Sequence, residues 1–251
     1  MPMSLKAKLA ESGRLLSMHV CIIPSAVVTQ AIAATGADCV IIDHEHAPIG
    51  FETLHAMIAA TQGTACAPLV RIPEIGEAHI RRALDAGAEG ICFPLVRTVA
   101  DAERCVAAMR YPPAGKRGWG PFVAHSRWDT PIGEYAAGPA RDTVCMLLLE
   151  TREAVENIDA ICAVEGIDCM VVAPFDLSTE LGVQGQMDHP TMREAVKHLE
   201  DAVLKAKIPL GGVGLTEAST RSLVAKGYRI VGGFDVLWLK GAVAHARSWL
   251  A

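Results

Sequence analysis

Eight short apolar runs, each followed by a segment of helical period, predict an α/β fold in which crossover helices close a parallel sheet into a (β/α)8 TIM barrel. Three observations carry that prediction. The runs are almost continuously apolar, as strands buried on both faces must be. The alternation persists from end to end. No Ser/Gly/Pro linker or charge block divides the 251 residues, so 1–251 reads as a single domain. A doubly wound open sheet is the rival, but "SMHVCIIPSA" offers no glycine-rich turn after the first strand.

The strand candidates, in order, are "LLSMHVCII", "DCVIID", "CAPLVRI", "GICFPLV", "VCMLLLE", "DCMVVAP", "IPLGGVG" and "YRIVGG". Each is the length of a strand and too short for a buried helix. After the first three come "SAVVTQAIAATG", "GFETLHAMIAATQG" and "IGEAHIRRALDAGAEG", all closing on the glycine that a helix C-terminus favours. "TVADAERCVAAMR" and "TREAVENIDAICAVEG" follow strands four and five. "HPTMREAVKHLEDAVLKAK", "LTEASTRSLVAKG" and "DVLWLKGAVAHARSWL" complete the set, the last a candidate for packing on, or exchange with, a neighbouring subunit.

One segment breaks the rhythm. "YPPAGKRGWGPFVAHSRWDTPIGEYAAGPARD" joins the fourth of these helices to the fifth strand, and connections that long inside a compact domain are usually functional or interface-forming. It leaves from the face opposite the usual site of a barrel, so it is expected to wrap outward and meet another subunit.

With 51% hydrophobic and 20% charged residues the chain can bury a substantial core. A net charge of -5 without a Lys/Arg cluster argues against nucleic acid or an anionic membrane as partner. "MPMSLKAKLAESGRLLSM" has no long apolar core, and no later run reaches the roughly 18 residues of a membrane span. A cytoplasmic protein acting on small molecules is expected. The eight cysteines, at 21, 39, 66, 92, 105, 145, 162 and 169, fall mostly within apolar runs and form no C-x-x-C, so they read as core residues.

Chemistry in such barrels sits at the C-terminal ends of the strands. There the chain places Asp43, Glu45 and His46 after strand two, Arg71 after strand three, Glu150 after strand five and Asp176 after strand six. Singly each has a structural reading: Asp176 as a helix cap, Glu150 as an anion at a helix N-terminus, Asp43 and Glu45 as turn formers, Arg71 as a partner for any of them. Together, four carboxylates at one mouth repel unless a cation is shared among them. Oxygen ligands such as Glu150 and Asp176 favour a hard ion, Mg²⁺ or Mn²⁺, over zinc. A zinc site would pair His44 with His46 and still need a third ligand, for which no partner motif is present. None of the eight lysines stands at a strand end, which disfavours imine chemistry.

These residues carry a resemblance. "IIDHEHAP", "LVRIPE", "ALDAGAEGICFPLVRTVADAERCVAAMRYPPAGKRGWG", "LLLETREAVENIDAICAVEGID", "APFDLSTELG" and "GGFDVLWL" are similar to the HpcH/HpaI aldolase family, metal-dependent class II pyruvate aldolases that include hydroxy-oxo-heptanedioate and dehydro-deoxy-glucarate aldolases. The resemblance spans nearly the whole chain and implies a barrel of the phosphoenolpyruvate/pyruvate-domain type. It also implies Glu150 and Asp176 as ligands of a divalent metal, with Mg²⁺ or Mn²⁺ expected and Co²⁺ an alternative. Arg71 would contact the pyruvate oxygen and steady its enolate. His46, oriented by Asp43, would move the proton, and Glu45 would support the ligand shell. Backbone N–H groups near Ala173 and Phe175 would meet the substrate carboxylate. A homohexamer, a trimer of dimers with the last helix exchanged, is the assembly implied. The chain departs from the family pattern at His44, Leu148, Ala173 and Phe175, and in "VAHSRW".

The activity expected is reversible cleavage of a 4-hydroxy-2-oxo acid to pyruvate and an aldehyde. An oxaloacetate-type 2-oxo acid decarboxylase using the same enolate-stabilising residues, and a non-catalytic binding barrel, are the alternatives.

Overall fold

The computed structural model describes residues 3–250, and its eight strands form one closed, fully parallel barrel in the order β1 to β8, with β8 returning to pair with β1. The strands are β1 (Leu16–Cys21), β2 (Cys39–Asp43), β3 (Ala67–Arg71), β4 (Gly90–Phe93), β5 (Val144–Leu149), β6 (Cys169–Val172), β7 (Leu210–Val213) and β8 (Ile230–Phe234). Each lies inside one of the eight apolar runs, except that β8 extends one residue past the last of them, to Phe234. Between them stand α2 (Ala26–Ala34), α3 (Phe51–Ala59), α4 (Glu77–Asp85), α5 (Val99–Met109), α7 (Arg152–Ile161), α9 (Pro190–Lys205) and α10 (Glu217–Ala225), and α11 (Asp235–Ser248) follows β8. No helix among the described residues is long and apolar enough to cross a membrane.

Four short pieces lie outside the eight periodic segments, and of these only the helix after strand six was expected, from Asp176 as its cap. α1 (Leu5–Ala10) precedes the barrel, α6 (Ala124–Arg127) and a 3₁₀ turn (Pro139–Asp142) lie in the long connection, and α8 (Pro174–Glu180) caps strand six. α1 plugs the barrel floor: Leu5 and Leu9 join the interior cluster, and Lys8 donates to Asp38 (3.0 Å) and to the Ala65 carbonyl (2.8 Å). At six residues the helix is too short to stand alone, so this burial is what holds it. The long connection folds under the same end of the barrel around its own cluster of Ala124, Tyr135 and Ala140, leaving Trp119, Phe122 and Val123 exposed.

Side chains alternate across each strand, so residue parity assigns the interior. Leu16, Met18 and Val20 of β1, Cys39 and Ile41 of β2, Ala67 and Leu69 of β3, Val144, Met146 and Leu148 of β5, and Cys169 and Val171 of β6 all pack inside. The intervening residues, such as Val40, Ile42 and Val70, pack outward under the helices. All eight cysteines are free and seven are buried, consistent with their use as small apolar residues.

Closure depends on missing side chains at β7 and β8. A Cβ on Gly232 would lie 1.4 Å from the Met18 carbonyl oxygen, and one on Gly211 would meet Ile230 and Val171 at 2.7 and 2.8 Å. Gly232→Ala is therefore expected to force β1 and β8 apart, at ~3 kcal/mol or more and about 10 °C in thermal unfolding. Gly241→Ala, in α11 with open space around it, is the control expected to leave the melting temperature within about 2 °C.

Candidate active site

The parity that fills the interior also aims the chemistry. Asp43 continues the Cys39–Ile41 column, Arg71 the Ala67–Leu69 column, and Glu150 the Met146–Leu148 column, so all three turn inward at the mouth. β2 and β3 pair with Asp43 opposite Arg71, and that register brings their side chains together. Arg71 Nε donates to Asp43 Oδ1 (2.9 Å) and Nη2 to Oδ2 (2.6 Å), a bidentate fork, while Glu45 Oε2 stands 3.3 Å from Arg71 Nε.

Burial weighs against charging Asp43, yet the Arg71 fork and the N–H groups of His46 and Glu45 outweigh it and hold its pKa below the ordinary carboxylate range. The same fork outweighs desolvation at Arg71 and raises its pKa further. Buried charge is tolerable here because both partners are satisfied.

Glu150 is placed differently. Its carboxyl is buried, and Oε1 accepts the Leu95 N–H (2.6 Å). Burial pushes its pKa up to about 7; the Leu95 bond and Arg71 oppose that shift, and the negative charges of Asp176 and Glu45 reinforce it. Glu45 is likewise pushed up, by burial first and then by Asp43 and Asp176 against the pull of Arg71. Asp176 stands exposed in the first turn of α8. Glu150 and Glu45 are thus both held back from ionising, while Arg71 is committed to Asp43.

Leu95 was not legible as a functional residue. The run "GICFPLV" reads as strand through residue 96, but β4 stops at Phe93, and Leu95 turns to φ +55° to aim its N–H at Glu150. A non-glycine residue in the left-handed region is strained and persists where its surroundings hold it. No sequence signal marks a leucine for that role. Thr151 braces the same corner: its hydroxyl donates to the Val96 carbonyl (3.2 Å) and accepts the Ala154 N–H that caps α7 (3.1 Å).

Two expectations are corrected. The Asp43 carboxylate does not orient the His46 ring; it takes the backbone N–H groups of Glu45 (3.1 Å) and His46 (3.2 Å), and its outer face belongs to Arg71. The imidazole instead points Nε2 at Glu45 Oε2, 3.5 Å away, with most of the ring in solvent. The reason is register, since Asp43 lies opposite Arg71 on the neighbouring strand whereas His46 lies in the loop beyond. The Ala173 N–H is not free for a ligand either: the β5–β6 ladder runs one residue further and gives it to the Leu149 carbonyl (3.2 Å). Phe175 and Asp176 remain as first-turn N–H donors of α8, with the Phe175 side chain 48% exposed at the rim.

The donor set suits a hard cation. Among the described residues no three His, Cys, Asp or Glu side chains gather to enclose a metal by themselves. Two or three mutually repelling carboxylates facing one space fit an ion that keeps most of its water and takes only one or two protein ligands, as Mg²⁺ does. The zinc reading gains nothing, because among the described residues no third ligand joins His44 and His46 in one cluster, and the His46 ring sits against Glu45.

Comparison with known proteins gives a consistent picture. Residues 22–240 match the family model described as HpcH/HpaI aldolase/citrate lyase. The hydroxypyruvate/pyruvate aldolase of Chromohalobacter salexigens is 36% identical over 222 residues, 87% of each chain. The 5-keto-4-deoxy-D-glucarate aldolase of Shigella boydii serotype 18 is 33% identical over 205 residues, 82% of this chain and 79% of that one. A crystal structure of a HpcH/HpaI aldolase/citrate lyase family protein from Burkholderia cenocepacia J2315 superposes with a TM-score of 0.90 at 28% identity, covering 98% of both chains.

Proposed function

The chain belongs to the HpcH/HpaI aldolase/citrate lyase family, and from that premise we propose that its barrel mouth reversibly splits a 4-hydroxy-2-oxo acid into pyruvate and an aldehyde. It is a carbon–carbon lyase. The observation that carries the site assignment is the Arg71 fork, locked by Asp43 beside a Glu150 that burial, reinforced by its acidic neighbours, keeps from ionising freely.

Cleavage leaves the pyruvate half as an enolate, so the site must place positive charge at the 2-oxo oxygen and remove the 4-hydroxyl proton. Arg71 gives Nε and Nη2 to Asp43, which leaves Nη1 for that oxygen in a fixed orientation. Glu150 and Asp176 would hold the divalent cation, Mg²⁺ or Mn²⁺, with Co²⁺ an alternative. When bound, it supplies a second positive charge at the enolate. His46 takes the hydroxyl proton in cleavage and returns it in condensation, a role suited to an imidazole open to solvent. Glu45 steadies the imidazole and Arg71 together. The Phe175 and Asp176 N–H groups receive the substrate carboxylate, and the Phe175 ring borders the aldehyde side.

The test is exchange of the pyruvate methyl protons in D₂O, followed by NMR, with Mn²⁺ or Mg²⁺ and with a chelator as control. Exchange that depends on metal and is lost in Arg71→Met is expected. No exchange with either ion would overturn the reading.

The assembly proposed is a homohexamer built as a trimer of dimers, with α11 exchanged between neighbours. Leu239, Val243, Trp249 and Leu250 at the end of the chain are all more than half exposed, an apolar face that a single subunit leaves uncovered. Light scattering is expected to report six 26.6 kDa chains, and Leu239→Asp with Val243→Asp to give smaller species. Free, buried thiols suit the reducing cytoplasm in which we place it.

A further inference from the structure

A cavity of about 500 Å³ lies at the end of the barrel away from the carboxylates. Its walls come from the turn between α3 and β3, the residue before β4 and the long connection. Glu89 precedes β4 whereas Glu150 follows β5, so the length of the barrel separates this cavity from the mouth. Its volume is that of a small-molecule site.

Two ionisable groups in the wall, the buried Glu89 and the half-buried Arg127, feel each other's charge without forming an ion pair. Arg127 donates Nε to the Gly87 carbonyl (3.1 Å) and Nη2 to Thr61 Oγ1 (2.7 Å), while Nη1 is buried with no acceptor. Among the described residues no carboxylate lies within ion-pair distance of it. Its hydrogen bonds all go to neutral oxygens, and the buried, unmet Nη1 leaves one donor for a further acceptor. Glu89 is 8% exposed and one of its oxygens accepts the Leu5 N–H. Burial pushes its pKa up, against the Leu5 N–H and the charges of Arg127 and Lys8. Asp129 and Asp142, also on the wall, are exposed and solvated at the rim. Trp128, whose ring centroid lies 4.9 Å from the Arg127 guanidinium, and Cys66 add apolar surface.

We propose that this cavity is a second ligand site, for a small organic carboxylate with a flat apolar body, whose carboxylate pairs with Arg127 while the body lies against Trp128 and Cys66. It is independent of the chemistry assigned to the mouth. The cation with an unmet donor selects an anion, and the aromatic wall selects a planar body over a sugar acid.

Calorimetric titration of the full-length protein with 2-naphthoate tests it, with 2-naphthylmethylamine as the cation of the same shape. One 2-naphthoate per chain is expected, weakened at least tenfold in Arg127→Met, with no binding of the amine. Gln62→Trp, which fills the cavity from an exposed position on its wall, is expected to weaken binding as much without touching the Arg127 bonds. It keeps the test open if Arg127→Met does not fold. Binding unchanged by Gln62→Trp would place the carboxylate elsewhere, at the mouth for example, and overturn the proposal. Equal binding of the amine, or no binding of 2-naphthoate, would overturn it too.

Discussion

Replacing Glu150 by glutamine is expected to lower carbon–carbon cleavage and pyruvate proton exchange by about 10³-fold or more, while making the metal-free protein more stable at pH 8. The activity loss follows from removing one of the two ligands proposed for the cation that would stabilise the enolate, worth several kcal/mol in such sites. The stability gain follows from the carboxyl itself. Its pKa in the folded protein is about 7, above the ~4.3 of an ordinary glutamate, so stability falls as pH rises from ~4.3 through 7 and the whole cost is present above that. The cost is ~3 kcal/mol, which Glu150→Gln removes while keeping an oxygen for the Leu95 N–H. Thermal unfolding with chelator should show the variant several degrees higher at pH 8 and level with the parent at pH 4. A variant equally stable at both pH values would mean that Glu150 is not held against its charge. Retained activity would remove it from the metal site. Asp176→Ala is expected to lose activity equally, with little change in stability, because that carboxylate is exposed.

Arg71→Met should remove pyruvate exchange as completely and also weaken the fold, by about 3–5 kcal/mol at neutral pH, about 10 °C or more in melting temperature. Asp43 is fully buried, and without the fork only the Glu45 and His46 N–H groups offset the cost of its charge. In the variant its pKa would stand above the unfolded value, so the gap from the parent should widen between pH 4 and pH 8 and nearly close below pH 4. Arg71→Lys keeps the charge but not the two parallel bonds and is expected to fall between. Combining Arg71→Met with Asp43→Leu separates the two roles, since stability should return while exchange does not. Recovery of exchange in that double variant would show that the guanidinium acts only as a structural partner.

Much of this molecule is local in origin. Continuously apolar runs such as Cys39–Asp43 and Val144–Leu149 state that a strand forms, and the polar residues at the C-terminal ends of such runs made Asp43, Arg71 and Glu150 legible as barrel-mouth residues. Glycine-terminated helical segments likewise marked α2, α3 and α4. The resemblance of "IIDHEHAP", "LLLETRE" and "APFDL" named the same residues from motif order.

What one residue does to another across the barrel is a different kind of fact. Asp43 meets Arg71 rather than the His46 ring because closure sets the β2–β3 register, and the ladder that takes the Ala173 N–H ends where the β5–β6 pairing ends. The turn of Leu95 toward Glu150, the α1 plug and the unpaired Arg127 all join segments tens of residues apart. Side-chain alternation is imposed by the backbone of each strand, and the strand runs are written in the sequence. Pairing, burial and the pKa values they produce belong to the closed barrel, because only packing decides which charges share a space without water between them.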